Sequence, residues 1–323
     1  MIKNIYIKYK YLFVFLSILF LFIIFSIIYT TVYYYNLEKK ANFKIYQDIP
    51  YVDNPKDVNY NINYTSLNIY VPKDKPDKKM PVIIFVHGGA WTDFFGNKNN
   101  YRDYLLKGIY FTDQNYVFVN INYRVFPEYK FPVYVQDVSK AIAWVYDNIN
   151  IYSGDRDLIF LGGHSAGAQI ISLISTDESY LKKNNMDLSV IKGSILLEGI
   201  GYDLLKSREF DVDSQIVSKY LMFTFSENDS FLKEASAINH INENTNIPPI
   251  ILFSAENSIL RIGKIEALDF YLKLINSDHY AEYYIIPKRN HGNLNGSFGE
   301  EGDLTTIKTQ SFLNSIINNK IKR

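Results

Sequence analysis

From Tyr11 to Tyr29 the chain reads YLFVFLSILFLFIIFSIIY, 19 residues without a charge and apolar on every face. A helix of that length covers a hydrocarbon core of about 30 Å, and its uniform apolarity sets it apart from a core helix, which keeps one wet face. A polar stretch from Glu38 to Asn63 follows, and beyond it short β-rich runs alternate with helical patterns. That alternation marks a largely parallel sheet flanked by helices. The runs Ser66–Val71, Val82–Val86, Tyr116–Asn122, Leu158–Gly162, Ile191–Leu197, Ile250–Phe253 and Glu282–Ile286 read as strands. Several are apolar throughout, as a sheet covered on both faces requires. Helical patterns occupy Tyr101–Thr112, Val133–Asn148, Ala166–Ser175, Lys264–Ile275 and Thr305–Ile317. The interval Asp203–Ile247 has no clear strand and reads as a cap over the C-terminal edge of the sheet. The expected organisation is a tail and transmembrane anchor over 1–36, a linker and start of the domain over 37–63, and one α/β domain over 64–323 with its cap at about 203–247.

Lys3, Lys8 and Lys10 precede the apolar run, and Tyr33, Tyr34 and Tyr35 follow it like an interfacial belt. The leading lysines place the N-terminus in the cytoplasm and the domain on the non-cytoplasmic side, although Lys39, Lys40 and Lys44 pull the other way. A cleaved signal peptide is the alternative. The run is longer than a usual signal core and no A-x-A-like site follows it, so a single-pass anchor is expected.

Composition narrows the function classes. Lys plus Arg and Asp plus Glu number 34 each, so no basic field is available to hold nucleic acid. With no cysteine, thiol nucleophiles, disulfides and zinc–thiolate sites are ruled out. At 323 residues and 47% hydrophobic, the chain can bury one sizeable core.

Two motifs carry chemistry. Gly163-His164-Ser165-Ala166-Gly167 has the form G-x-S-x-G and falls between the apolar run LIFL and the helical pattern AQIISLIS. A serine at such a strand-to-helix turn stands clear of the sheet edge, and glycines two positions away make room for the turn. The N–H of Ala166, at the start of the helix, would face a developing oxyanion. The second motif, His87-Gly88-Gly89-Ala90-Trp91, directly follows the apolar strand PVIIFV. Its paired glycines let backbone N–H groups approach a substrate oxygen, with Gly89 and Ala90 as the donors, His87 as a brace and Trp91 as a pocket wall.

Together with NYRVFPEYKFP, QDVSKAIAWV, GIGYDL and Asn290-His291-Gly292, these stretches resemble the α/β-hydrolase superfamily. The likeness is to its esterase branch of hormone-sensitive-lipase-like, feruloyl-esterase-like, kynurenine-formamidase-like and prenylcysteine-methylesterase-like proteins, and it covers about Tyr64 to Ile317. The resemblance implies an α/β-hydrolase fold and a Ser/acid/His triad that cleaves a carboxylic ester or close relative without cofactor or metal. It also implies the chain order serine, acid, histidine.

On that order His291, after the run EYYIIP and before the C-terminal helix, is the expected base among five histidines. The loop after the IILF strand reads Ser254-Ala255-Glu256-Asn257-Ser258, where related enzymes usually carry an aspartate. Glu256 is its carboxylate and the preferred acid. A register that puts Asn257 at that position would leave a neutral amide, and Asp203 and Asp229 are the other carboxylates weighed. Glu198, ending the Ile191–Leu197 strand on the elbow's edge, either touches substrate or merely ends the strand, and stands outside the expected site. Tyr123-Arg124 and Pro127-Glu128 read as structural support for the oxyanion loop, and Asp155 and Asp157 as a solvated turn.

The expected activity is hydrolysis of a small-molecule ester through an acyl-enzyme on Ser165. Arylformamidase or prenylcysteine methylesterase chemistry would use the same residues with another pocket. A catalytically weak, membrane-tethered binding protein is the alternative that the unusual acid loop raises.

Overall fold

The computed structural model describes residues 2–52, 64–92, 101–209 and 215–321, so parts of the expected linker (53–63) and cap (210–214) lie outside the description. The chain divides into two compact units, Met1–Ala41 and Asn42–Arg323. The first is one helix, α1 (Ile2–Lys40). Within Phe13–Lys39 an 18-residue stretch reaches a mean hydropathy of 2.7, and the segment is long and apolar enough to cross a membrane. A helix of this kind at an N-terminus fits a membrane span and a signal sequence alike. The side chains of Lys3, Lys8, Lys10 and Lys40 lie outside the description.

The second unit is built on eight strands in the order β1-β2-β4-β3-β5-β6-β7-β8. They are β1 (Phe43–Pro50), β2 (Ser66–Pro72), β3 (Met80–Val86), β4 (Val117–Ile121), β5 (Gly154–His164), β6 (Ile191–Leu197), β7 (Ile250–Ala255) and β8 (Ala281–Ile286). From β4 to β8 every pairing is parallel, while β1 and β2 run antiparallel to their neighbours. The central strands are buried along nearly their whole length, which is why they read as continuous apolar runs. Strand β1 lies where the sequence shows a polar stretch. It sits at the sheet edge with most of its side chains exposed or half-buried, so no core face imprints a pattern on it.

The flanking layers come from α2 (Tyr101–Asp113), α3 (Val133–Asn148), α4 (Ala166–Thr176), the single turn α5 (Ser179–Lys182), and, beyond the cap, α9 (Arg261–Asn276), α10 (His291–Gly296) and α11 (Leu304–Ile317). The cap region holds α6 (Leu204–Glu209), α7 (Gln215–Thr224) and α8 (Asp229–Ala235) with no strand among its described residues. Crossovers of this kind leave the C-terminal ends of β3, β5, β6 and β7 along one edge, where ligands bind in open α/β sheets. The mostly parallel sheet with its helical layers is the expected α/β-hydrolase architecture.

Candidate active site

Strand β5 ends at His164 and α4 begins at Ala166, so Ser165 takes the whole reversal alone, at φ 54°, ψ −119°. That region is costly for a residue with a side chain. Two close approaches enforce it. A Cβ on Gly163 would come 2.7 Å from the backbone of Gly167, and a Cβ on Gly167 would come 2.2 Å from the carbonyl oxygen of Val86. The Ser165 N–H is anchored by a 2.9 Å bond to the carbonyl of Leu197 on β6. Packing against the neighbouring strands therefore holds the strained turn.

The loop after β3 turns through three consecutive left-handed residues, Gly89 (φ 113°), Ala90 (φ 53°) and Trp91 (φ 57°). Thr92 closes it, with its N–H and hydroxyl both donating to the Gly89 carbonyl at 2.9 and 3.0 Å. The adjacent Gly88 packs against the nucleophile turn; a Cβ there would lie 3.1 Å from the Cβ of Ser165. None of the N–H groups of Gly89, Ala90 and Ala166 donates to another described residue. From the cap, Tyr220 on α7 donates its hydroxyl to the Ala90 carbonyl at 2.5 Å.

His87 braces the loop from below. Its ring stacks on Tyr123 at 4.3 Å, and the Tyr123 hydroxyl donates to the His87 carbonyl at 2.9 Å. Burial pushes the His87 imidazole down to about 4, so it stays neutral near pH 7. Arg124 in turn forms a two-pronged pair with buried Asp137 on α3, at 2.8 and 2.7 Å, which fixes the segment carrying Tyr123. Trp91 is almost fully buried. Its ring packs edge-on against Phe225 at 4.9 Å and its Nε1 donates to Gln169 at 3.2 Å, so it walls the cavity as a fixed surface.

His291 opens α10, whose first turn is set by a reciprocal cap between Asn290 and Asn293. Ser165 and His291 face one cavity of about 710 Å³, walled among the described residues by Phe85, Tyr104, Ile200, Leu221 and Leu260. His164 lines the same cavity. Its Nε2 donates to the His291 carbonyl at 3.0 Å and its ring lies 4.7 Å from the His291 ring. Burial, then the nearby His291 charge, hold the His164 imidazole well below its ordinary range.

The carboxylate next to His291 differs from the expected one. Glu256 is exposed, and its side chain accepts the Lys288 N–H at 2.8 Å. Asn257 is also exposed. The Nδ1 of His291 lies instead 3.9 Å from Oε1 of Glu198, at the end of β6. The expectation for Glu256 rested on its being the carboxylate of the loop after β7; that loop turns outward, with its Asn257 N–H bonded to the Arg289 carbonyl at 2.9 Å. The sequence signal for Glu198 was present, a carboxylate ending a strand on the elbow's edge. Asp203 and Asp229 are engaged elsewhere, Asp203 accepting the Lys206 N–H at 3.2 Å and Asp229 pairing with Arg208 at 2.6 Å. No cluster of three or more metal-ligating side chains occurs among the described residues.

The BD-FAE family profile matches residues 67–268, a stretch that includes both the Gly88–Gly89 loop and the Ser165 turn. Among characterised relatives, Esterase LipQ of Mycobacterium tuberculosis is 29% identical over 190 residues, 57% of this chain and 44% of that one. Isoprenylcysteine alpha-carbonyl methylesterase ICME of Arabidopsis thaliana is 27% identical over 219 residues, 65% of this chain and 48% of that one. The chain spans less than half the length of these relatives. Among solved structures, an inhibited esterase B from Lactobacillus rhamnosis superimposes with a TM-score of 0.70 at 17% identity, covering 91% of this chain and 95% of that one. A truncated carbohydrate esterase from gut microbiota gives 0.67 at 17% identity, covering 86% and 98%. At such identities the structural likeness speaks for the fold. The profile, spanning more than half of the chain, speaks for the family, and the chain belongs to the BD-FAE family of α/β-hydrolase esterases.

Proposed function

We propose that this protein hydrolyses small carboxylic esters through an acyl-enzyme on Ser165. The observation that carries the reading is the strained Ser165 turn opposite the left-handed Gly89–Trp91 loop, with Ser165 and His291 facing one cavity. Ser165 Oγ attacks the acyl carbonyl and its proton passes to His291. The developing oxyanion is met by the N–H groups of Gly89, Ala90 and Ala166, which no other described residue occupies. His291 then protonates the leaving alcohol, and a water molecule activated by the same imidazole releases the acid. His87 and His164 are buried and engaged with backbone carbonyls, and burial lowers the basicity of both rings, so neither is suited to hold the serine proton.

The cavity walls are mostly aliphatic and aromatic, which favours an ester with an apolar acyl or alcohol group. α1 acts in this reading as a single-pass anchor, supported by its length and hydropathy, with the domain on the non-cytoplasmic side on the strength of the lysines that precede the apolar run. The test is turnover of short and medium p-nitrophenyl esters by the wild type and Ser165→Ala. The variant should lose on the order of 10⁶ in kcat, the loss typical when a serine hydrolase is stripped of its nucleophile. Equal turnover by the two proteins would contradict the reading.

A further inference from the structure

Five observations converge on one residue at the end of β6. Glu198 is 4% exposed, so its carboxylate has been taken out of water, a step that costs several kcal/mol unless charge or hydrogen bonds compensate. One oxygen, Oε2, accepts the N–H of Ala255 at the end of β7. The other, Oε1, lies 3.9 Å from Nδ1 of His291. That nitrogen is itself buried and has no hydrogen-bond partner. The backbone of Glu198 is left-handed, at φ 47°, the second such strand end beside Ser165 at φ 54°.

Strand register explains why the two residues meet at one site. His164 pairs with Leu197 across β5 and β6, so Ser165 and Glu198 are the next residues out on adjacent strands, about 5 Å apart in the sheet. The β7 loop cannot deliver a carboxylate to the same place. Its Glu256 side chain is tied outward to the Lys288 N–H, and its backbone carbonyl accepts the Lys264 ammonium at 2.8 Å.

We infer that Glu198, one strand inward from the expected position, is the carboxylate that orients His291 and stabilises its imidazolium. Glu198 is thus a positioning residue that acts through His291, and the inference rests on the ester-hydrolase reading above. The 3.9 Å separation exceeds hydrogen-bonding length by about 1 Å, a gap that a modest rotation of the imidazole closes. With Nδ1–H donating to Glu198, the tautomer is fixed and Nε2 is free to accept the serine proton. The other ionisable groups facing Glu198 are Tyr202 and Tyr283, both held above the ordinary phenol range chiefly by burial and so neutral across the working range. His291 is the one basic side chain within 4 Å among the described residues.

The experiment compares full-length wild type, Glu198→Gln, Glu198→Asp and Glu256→Gln in detergent. It reads kcat/KM for p-nitrophenyl butyrate across pH, fluorophosphonate labelling, and the His291 ring titration by NMR. Glu198→Gln should lose on the order of 10³- to 10⁴-fold in kcat, as expected when the orienting carboxylate becomes an amide. Its acidic limb and its His291 titration midpoint should both move to lower pH, because the imidazolium loses its counter-charge; a purely structural role would not shift them. Glu198→Asp should restore part of that shift, and Glu256→Gln should stay within about 3-fold of wild type with its limb unmoved. Collapse of Glu256→Gln, or an unmoved limb in a folded Glu198→Gln, overturns the assignment. If Glu198→Gln fails to fold, Glu256→Gln and Glu198→Asp still decide. A wild type that neither turns over nor labels would sink the hydrolase reading instead, and the NMR titration would then judge Glu198 alone.

Discussion

The Nε2 of His164 donates a 3.0 Å hydrogen bond to the backbone carbonyl of His291. A carbonyl only accepts, so this nitrogen carries the proton, and burial keeps the ring neutral and the bond in place near pH 7. The residue before Ser165 thereby holds the backbone of His291, across 127 positions of chain.

His164→Ala should remove this hold. The His291 carbonyl would lose its donor, α10 would loosen at its first turn, and kcat should fall roughly 10- to 100-fold, the equivalent of about 1.4 to 2.7 kcal/mol. His164→Gln, whose amide can donate to the same carbonyl, should recover part of the loss. Steady-state kinetics on the two variants checks this.

Tyr220 offers a second lever, because its hydroxyl joins α7 of the cap to the Ala90 carbonyl. One hydrogen bond contributes about 1 kcal/mol, so Tyr220→Phe should slow turnover by roughly 5- to 10-fold. The loss should fall mainly on kcat, since the bond steadies the turn at Ala90, whose own N–H is proposed to meet the oxyanion, and leaves the cavity walls in place. An equal rise in KM with kcat unchanged would place the role of Tyr220 in substrate binding.

Glu266 sets a pH dependence of stability. Its carboxyl, buried on α9, accepts the N–H groups of Gly201 and Tyr202 at 2.6 and 3.2 Å and bonds the Ser207 hydroxyl, tying α9 to the loop after β6. Burial raises it from 4.5 to about 8, against the opposing pull of Ser207 and the Gly201 N–H. The folded state therefore holds a proton that the unfolded state has released between pH 4.5 and about 8. Stability from this group is full below that window and is lost as pH rises through it. Glu266→Gln mimics the neutral acid, so urea unfolding of the variant should show a shallower decline from pH 5 to 8 than the wild type. Parallel slopes would show that Glu266 is not the source.

The elements that the sequence made legible are those whose burial is uniform. Strands β3 through β7 and helices α3 and α4 are written in apolar residues, because each is covered by the layers around it. Strand β1 escaped because an exposed edge carries no periodic core face. The glycines either side of Ser165 and the double-glycine loop were legible because backbone geometry constrains residue type, a Cβ there striking Val86, Gly167 or the carbonyl of His164, whereas His291 stood out by its place in the chain order that the resemblance implies. The carboxylate near His291 was not. Which of the two glutamates lies near His291 depends on how the chain leaves β6 and β7, with Glu198 buried at its strand end and Glu256 turned outward to the Lys288 N–H, and no local pattern records that. Trp91 lines the cavity with its indole N–H committed to Gln169, a pairing across 78 residues that no local pattern encodes.

The central claim, an activated Ser165, is tested most directly by exposing full-length wild type and Ser165→Ala to a fluorophosphonate probe and locating the adduct by mass spectrometry of the digested protein. The account predicts one covalent adduct, on the peptide containing Ser165, formed by the wild type and absent from the variant. A folded wild type that takes up no label, or labelling that persists in Ser165→Ala, would contradict it.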